Sequence, residues 1–172
     1  MYFRHYQIMS TLLLSPHQVN QKLQRIALEI KEKTFRHQHI ILVGVVESGL
    51  QLARIIAQIL LQNGSPTEVF SLKVNKTNPL AEPVICAIPE ETLKNSTVIL
   101  IDDVQNSGRT MIYAVQHFLQ FPVHAIQTCV LVDRQHNRFP VRADYVGLSL
   151  STTLKEHVNV TVQDTNVSVT LS

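Results

Sequence analysis

The segment Val98–Met111, VILIDDVQNSGRTM, gathers residue types suited to binding a phosphorylated sugar. A buried-type apolar run ends in the adjacent carboxylates Asp102 and Asp103. A polar loop follows, Gln105-Asn106-Ser107-Gly108-Arg109-Thr110, with one glycine in it. Helical spacing then resumes with Met111, Ala114, Val115 and Phe118. In open α/β sheets, ligands bind outside the carboxyl ends of the strands. Backbone N–H groups where a loop enters a helix point at an anion, which makes such a loop a ready cradle for phosphate. Ser107 and Thr110 can add hydroxyl donors, and Arg109 can add positive charge. The carboxylates cannot bind phosphate, but they can hold ribose hydroxyls or a Mg²⁺ ion. The chain contains no GxxxxGK[ST] pattern, so the cradle is not a Walker A loop. Taken singly, the aspartates would be a strand end and Ser107 a helix cap; together they point to a ligand.

The surrounding pattern supplies elements to position this loop. Ser15-Pro16-His17-Gln18 reads as a helix start, with a serine N-cap, proline at the first helical position and glutamine completing a capping box. Val19, Leu23, Ile26, Ala27 and Ile30 then form one apolar face through about Lys33, opposite a solvated face with Lys22, Arg25, Lys31 and Lys33. His39–Val46 is a continuous apolar run, as expected for a strand buried on both faces of a parallel sheet, and it ends at Glu47-Ser48-Gly49. A helix follows with Leu50, Ala53, Ile56, Ala57 and Leu60, stopped by Asn63-Gly64. Further strands are expected at Glu68–Val74, Val98–Ile101, Ala125–Val132 and Ala143–Leu148. The tail Val158–Leu171 alternates like a strand or hairpin at a sheet edge. Asn75–Glu91, with three prolines, reads as a long connection of the kind often used as a lid or binding loop. The whole is an α/β fold, a mainly parallel sheet flanked by helices, in one domain over residues 1–172.

Composition narrows the class. At 172 residues, 45% hydrophobic and 16% charged, the chain can bury a substantial core. A net charge of +2 makes no case by itself for nucleic-acid binding. Cys86 and Cys129 have neither disulfide-framework nor metal-ligand spacing, and Cys129 reads as an inert core thiol. Leu12–Leu14 is too short for a signal-peptide core and no run approaches a membrane span, so a cytoplasmic location without a membrane partner is expected. The eight histidines are scattered; His37 and His39 are close but lack further ligands, so no transition-metal site is expected.

VILIDDVQNSGRTM resembles the phosphoribosyl-pyrophosphate signature of type I phosphoribosyltransferases. VLVDRQHNRFPVRADYVG, LLLSPHQVNQKLQRIALEI and IILVGVVESGLQLA are similar to segments of the PyrR family, the pyrimidine-operon attenuators with uracil phosphoribosyltransferase activity. The resemblance covers most of the chain in order. It implies a core parallel sheet with a small hood, phosphoribosyl pyrophosphate and a nucleobase or nucleotide as ligands, uracil as the base and UMP as product. It also implies Mg²⁺ as cofactor and a homodimer or higher homo-oligomer, with RNA as the alternative partner of a regulatory, weakly active version. By the same resemblance, Asp102 and Asp103 contact the ribose hydroxyls, directly or through Mg²⁺. Asn106, Ser107, Gly108, Arg109 and Thr110 wrap the 5-phosphate, and Glu47, Ser48 and Gly49 form the pyrophosphate loop. Tyr145 stacks on the base, the Val146 backbone reads its edge, and Asp133 and Arg134 close that pocket. The chain departs from the family pattern in four places. Glu47 stands where a cation is usual, and Asn106 where PyrR-like loops have tyrosine. Leu148 stands where lysine follows the pocket glycine. The mobile-loop Tyr-Arg pair is missing, with Lys73 and Lys76 the nearest candidates.

Overall fold

A computed structural model describes residues 10–36, 39–151, 153, 156–163 and 165–172. His37, named above, lies outside them. In chain order the elements are β1 (Thr11–Leu14), α1 (Pro16–Lys33), β2 (Ile40–Val45), α2 (Val46–Gln62), β3 (Glu68–Lys73), β4 (Ile85–Cys86) and α3 (Glu90–Leu93). There follow β5 (Thr97–Gln105), α4 (Arg109–Phe118), β6 (Ala125–Asp133), β7 (Tyr145–Ser149), β8 (Val158–Gln163) and β9 (Asn166–Leu171). The main sheet has six strands in the order β4-β3-β2-β5-β6-β7, parallel except for β4.

Local sequence explains where α1 begins. The Ser15 hydroxyl accepts from the Gln18 N–H and the Gln18 side chain accepts from the Ser15 N–H at 2.9 Å, so the expected capping box is formed. Its apolar face, Val19, Leu23, Ile26, Ala27 and Ile30, is buried as the spacing requires. Alternation along β2 and β5 sorts side chains between two cores. Leu42, Ile99 and Ile101 face α1 and α2, whereas Ile41, Val43, Val45, Val98 and Leu100 face α4 and α3. Helices therefore cover both faces, which is why the central strands read as continuous apolar runs.

Two expectations shift, while the tail forms the hairpin read from its alternation: β8 and β9 join β1 in a separate antiparallel sheet, ordered β1-β9-β8, in which Thr11 pairs with Leu171. Its inward Leu14, Val167 and Val169 pack into the α1 core. The long connection is not featureless, since β4 and α3 lie within or overlap it. The third strand does not stop at Ile101 but runs on through both aspartates to Gln105. Cys129 is buried in the α1 core as expected, and burial pushes its thiol up to about 12. Among the described residues no helix is long and apolar enough to cross a membrane.

Candidate functional site

The neighbouring strands β2 and β5 leave their sheet in opposite directions. The chain leaves β2 through α2 to reach β3 on one side; it leaves β5 through α4 to reach β6 on the other. Such a switch point opens a crevice at the carboxyl ends of the strands. The pairing of β2 with β5 stops at Gly44–Ile101, while β5 continues against β6 to Gln105–Asp133. Asp102 and Asp103 are thus the first residues of β5 without β2 beside them.

Two glycines make room for the turn. A Cβ on Gly44 would lie 2.2 Å from the Leu50 Cα, and one on Gly49 would lie 2.4 Å from the Ile101 carbonyl oxygen. The chain reverses between them at Val46, whose φ of 50° is a costly value for a β-branched residue. Glu47, Ser48 and Gly49 consequently form the first turn of α2 rather than a free loop ahead of it. Gly49 abuts the β5 backbone at Asp102, Ser48 is half-buried and Glu47 is exposed.

A cleft of about 400 Å³ is lined by Lys76, by every residue from Asp102 to Met111, and by Val158 of the small sheet. It brings together Asp102, Asp103, Asn106, Ser107, Gly108, Arg109 and Thr110, all singled out from the sequence. Gly108 caps α4 at φ 77°, and a Cβ there would sit 2.8 Å from Val141 Cγ1. The loop is held from below by residues 134–141, which follow Asp133. The Arg138 and Phe139 N–H groups donate to the Ser107 carbonyl at 2.9 and 3.1 Å. Gln105, buried, donates through Nε2 to Asn137 Oδ1 and the Val141 carbonyl. Arg134, also buried, donates to Asn106 Oδ1 at 2.8 Å and to the carbonyls of Thr153 and Glu156 at 2.9 and 2.7 Å. Asp133 ends β6 and accepts from the Gln135 N–H at 2.9 Å.

Tyr145 and Val146 are not brought to this cleft. Tyr145 opens the edge strand β7, where it pairs with Cys129, and is fully buried. Its hydroxyl donates to Gln127 Oε1 at 2.8 Å, and the Lys33 ammonium stands 4.5 Å from its ring centroid. The Val146 carbonyl accepts from Arg25 of α1 at 2.6 Å. Tyr145 thus packs toward α1, whereas Val146 meets α1 through its carbonyl and turns its side chain to the α4-side core.

The acidic pair has a partner that the sequence suggested only weakly. Lys76, in the connection after β3, places its Nζ 3.0 Å from Asp102 Oδ1 and 3.5 Å from Asp103 Oδ1. Burial, with Asp103 adding to it and Lys76 opposing, pushes the Asp102 carboxyl up to about 7. Burial alone would lower Lys76, but the two carboxylates outweigh it and raise its pKa. Carboxylate oxygens are suitable Mg²⁺ ligands, yet here the point between them is taken by an ammonium. With Lys76 on both carboxylates, the pair does not fit a resident divalent ion. Among the described residues no group of three or more His, Cys, Asp or Glu could hold a metal.

A glycine-containing loop and an acidic pair thus meet at the switch point of a mainly parallel sheet. The chain matches the phosphoribosyl transferase domain over residues 11–165 and belongs to that family. Its relatives include the bifunctional protein PyrR of Clostridium novyi, 35% identical over 165 residues, covering 90% of this chain and 91% of the other. PyrR of Streptomyces coelicolor is 36% identical over 146 residues, covering 80% and 76%. Among solved structures, the hypoxanthine phosphoribosyltransferase of Trypanosoma cruzi shares the fold at a TM-score of 0.76 and 14% identity, over 92% of this chain and 95% of the other. The same enzyme in complex with the product IMP aligns at 0.72 and 17% identity, over 86% and 83%.

Proposed function

We propose that this protein binds ribose 5-phosphate groups in the Asp102–Thr110 cleft and transfers one from phosphoribosyl pyrophosphate to uracil, giving UMP and pyrophosphate. The observation that carries this reading is the convergence of the acidic pair and the whole Asn106–Thr110 loop on one cleft at the β2/β5 switch point. Likeness to PyrR relatives supports uracil as the base.

In this reading the N–H groups of the loop and of the α4 start hold the 5-phosphate, with Ser107, Thr110 and Arg109 adding donors and charge. Asp102 and Asp103 face the ribose hydroxyls. As a uracil nitrogen bonds to C1 and the C1–O bond to pyrophosphate breaks, positive charge develops on the sugar, and the carboxylates stabilise it. Magnesium, which phosphoribosyltransferases generally use with this donor, would enter on the diphosphate as part of the substrate. Asn106 can hydrogen-bond but cannot take a proton at neutral pH. Its place beside Arg134 suits positioning of the loop.

A second reading, a nucleotide-binding regulator with little turnover, is favoured by one observation: exposed Glu47 on the first turn of α2, where a diphosphate would meet a negative charge. Titration calorimetry with phosphoribosyl pyrophosphate and with UMP, followed by pyrophosphate release in the presence of uracil, tests both. Binding that Asp102→Asn/Asp103→Asn abolishes, with turnover, supports the transferase. Binding without turnover supports the regulator. A folded protein that binds neither ligand would refute both.

A further inference from the structure

We propose that Lys76 is a built-in cation that takes the place of a divalent ion at the acidic pair, so that the cleft binds a ribose 5-phosphate or nucleoside 5'-monophosphate without Mg²⁺. This rests on the proposed ribose-phosphate site and names the ligand class it takes unaided.

Consecutive strand residues normally direct their side chains to opposite faces. Asp102 and Asp103 nevertheless both present Oδ1 to one Nζ. Backbone geometry fixes them there: the Asp103 N–H donates to Asp102 Oδ1 at 2.9 Å and the Val104 N–H to Asp103 Oδ1 at 2.8 Å. Asp102 is buried, and an uncompensated carboxylate in that position is costly. The compensating charge comes from within the chain.

Lys76 reaches the pair from a preformed turn. Asn75 Oδ1 accepts from the N–H groups of Thr77 and Asn78 at 3.1 and 2.9 Å, closing a turn around Lys76. The Thr77 carbonyl in turn accepts from Arg109 at 3.4 Å, which ties this turn to the phosphate loop. An ammonium has three donors, and the two carboxylates use two of them. With its side chain 43% exposed along the cleft wall, Lys76 can offer the third to a ribose hydroxyl. It thereby performs both tasks assigned to a metal here, neutralising the pair and meeting the sugar.

The test is calorimetric titration of the full chain with UMP, and with ribose 5-phosphate as a base-free probe, once in EDTA and once in Mg²⁺. The wild type is expected to bind each probe with a Kd that agrees within roughly twofold between the buffers. K76Q is expected to bind about tenfold more weakly in EDTA and to regain affinity in Mg²⁺, because the emptied position then accepts the ion. Should the uncompensated pair unfold K76Q, K76Q/D103N removes one charge of each sign, and weaker binding than wild type in EDTA is expected of it too. Wild-type binding that disappears in EDTA overturns the proposal, as does a folded K76Q or K76Q/D103N that binds like wild type in EDTA. A folded wild type that binds neither probe in either buffer overturns the underlying site assignment, and this inference with it.

Discussion

The Arg134 guanidinium donates from Nη1 to the Asn106 side-chain oxygen at 2.8 Å, and its Nη2 donates to the Thr153 and Glu156 carbonyls ahead of β8. One buried side chain thus joins the Asn106–Thr110 loop to the approach of the small sheet. Removing it takes a charged donor from three acceptors. Arg134→Ala is expected to cost about 1.5–3 kcal/mol of stability in urea denaturation. A double-mutant cycle of Arg134→Ala and Asn106→Ala on UMP binding should show a coupling of about 0.5–3 kcal/mol, because the two residues act through one contact. Additive effects would mean the contact does not position the loop.

Gly49 and Ser48 should separate cleanly. A methyl group on Gly49 meets the Ile101 carbonyl at 2.4 Å, a backbone atom that cannot step aside without moving β5. Gly49→Ala is expected to destabilise by about 1–3 kcal/mol, the usual range for overpacking. Ser48→Ala, which adds nothing, should stay within about 0.5 kcal/mol. Thermal and urea melts of the two variants check this, and equal effects would contradict the packing role of Gly49.

Tyr145→Phe probes the same region from the other side. It removes only the hydroxyl that donates to Gln127. A loss of about 1 kcal/mol in stability is expected, with UMP affinity unchanged. A marked loss of affinity in a variant of near-native stability would return Tyr145 to the ligand.

Stability should carry the imprint of Asp102. Its folded pKa of about 7 lies above the ordinary 3.8, so between these values the folded chain keeps a proton that the unfolded chain releases. Stability contributed by this group therefore falls as pH rises from about 4 to about 7, and the cost is constant above that. Below about 4 both states are protonated and the contribution vanishes. Asp102→Asn, measured against wild type by urea titration, should gain relative stability from pH 5 to pH 8. A flat difference across that interval would remove the argument.

The sequence spoke clearly where burial is uniform. Runs such as IILVGV and VILI are apolar on both faces because helices cover both, and helix α1 carries its own start signal at Ser15. It was mute where position depends on register. The carboxylates end an apolar run, so β5 reads as stopping at Ile101, although β6 carries it on to Gln105. Tyr145 lies in a segment similar to a base pocket, yet its register opposite Cys129, with Ser149 opposite Asp133, keeps it back from the cleft end of the strands. Gln105 and Arg134 were visible as polar residues, but only the return of the 134–141 segment beneath the loop gives them partners. Lys76 stood out only as the nearest cation in a proline-containing connection. Nothing local announces that a turn at Asn75 swings it onto Asp102.

The pairing of Thr11 with Leu171 has a consequence for the order of assembly. The β2–α2–β3 and β5–α4–β6 units join residues near in sequence, whereas the small sheet must close almost the whole described chain on itself, a late and entropically costly step. Val158, which walls the cleft, belongs to that sheet. During synthesis the Asn106–Thr110 loop can therefore take shape well before the cavity it faces is roofed by β9 zipping between β1 and β8.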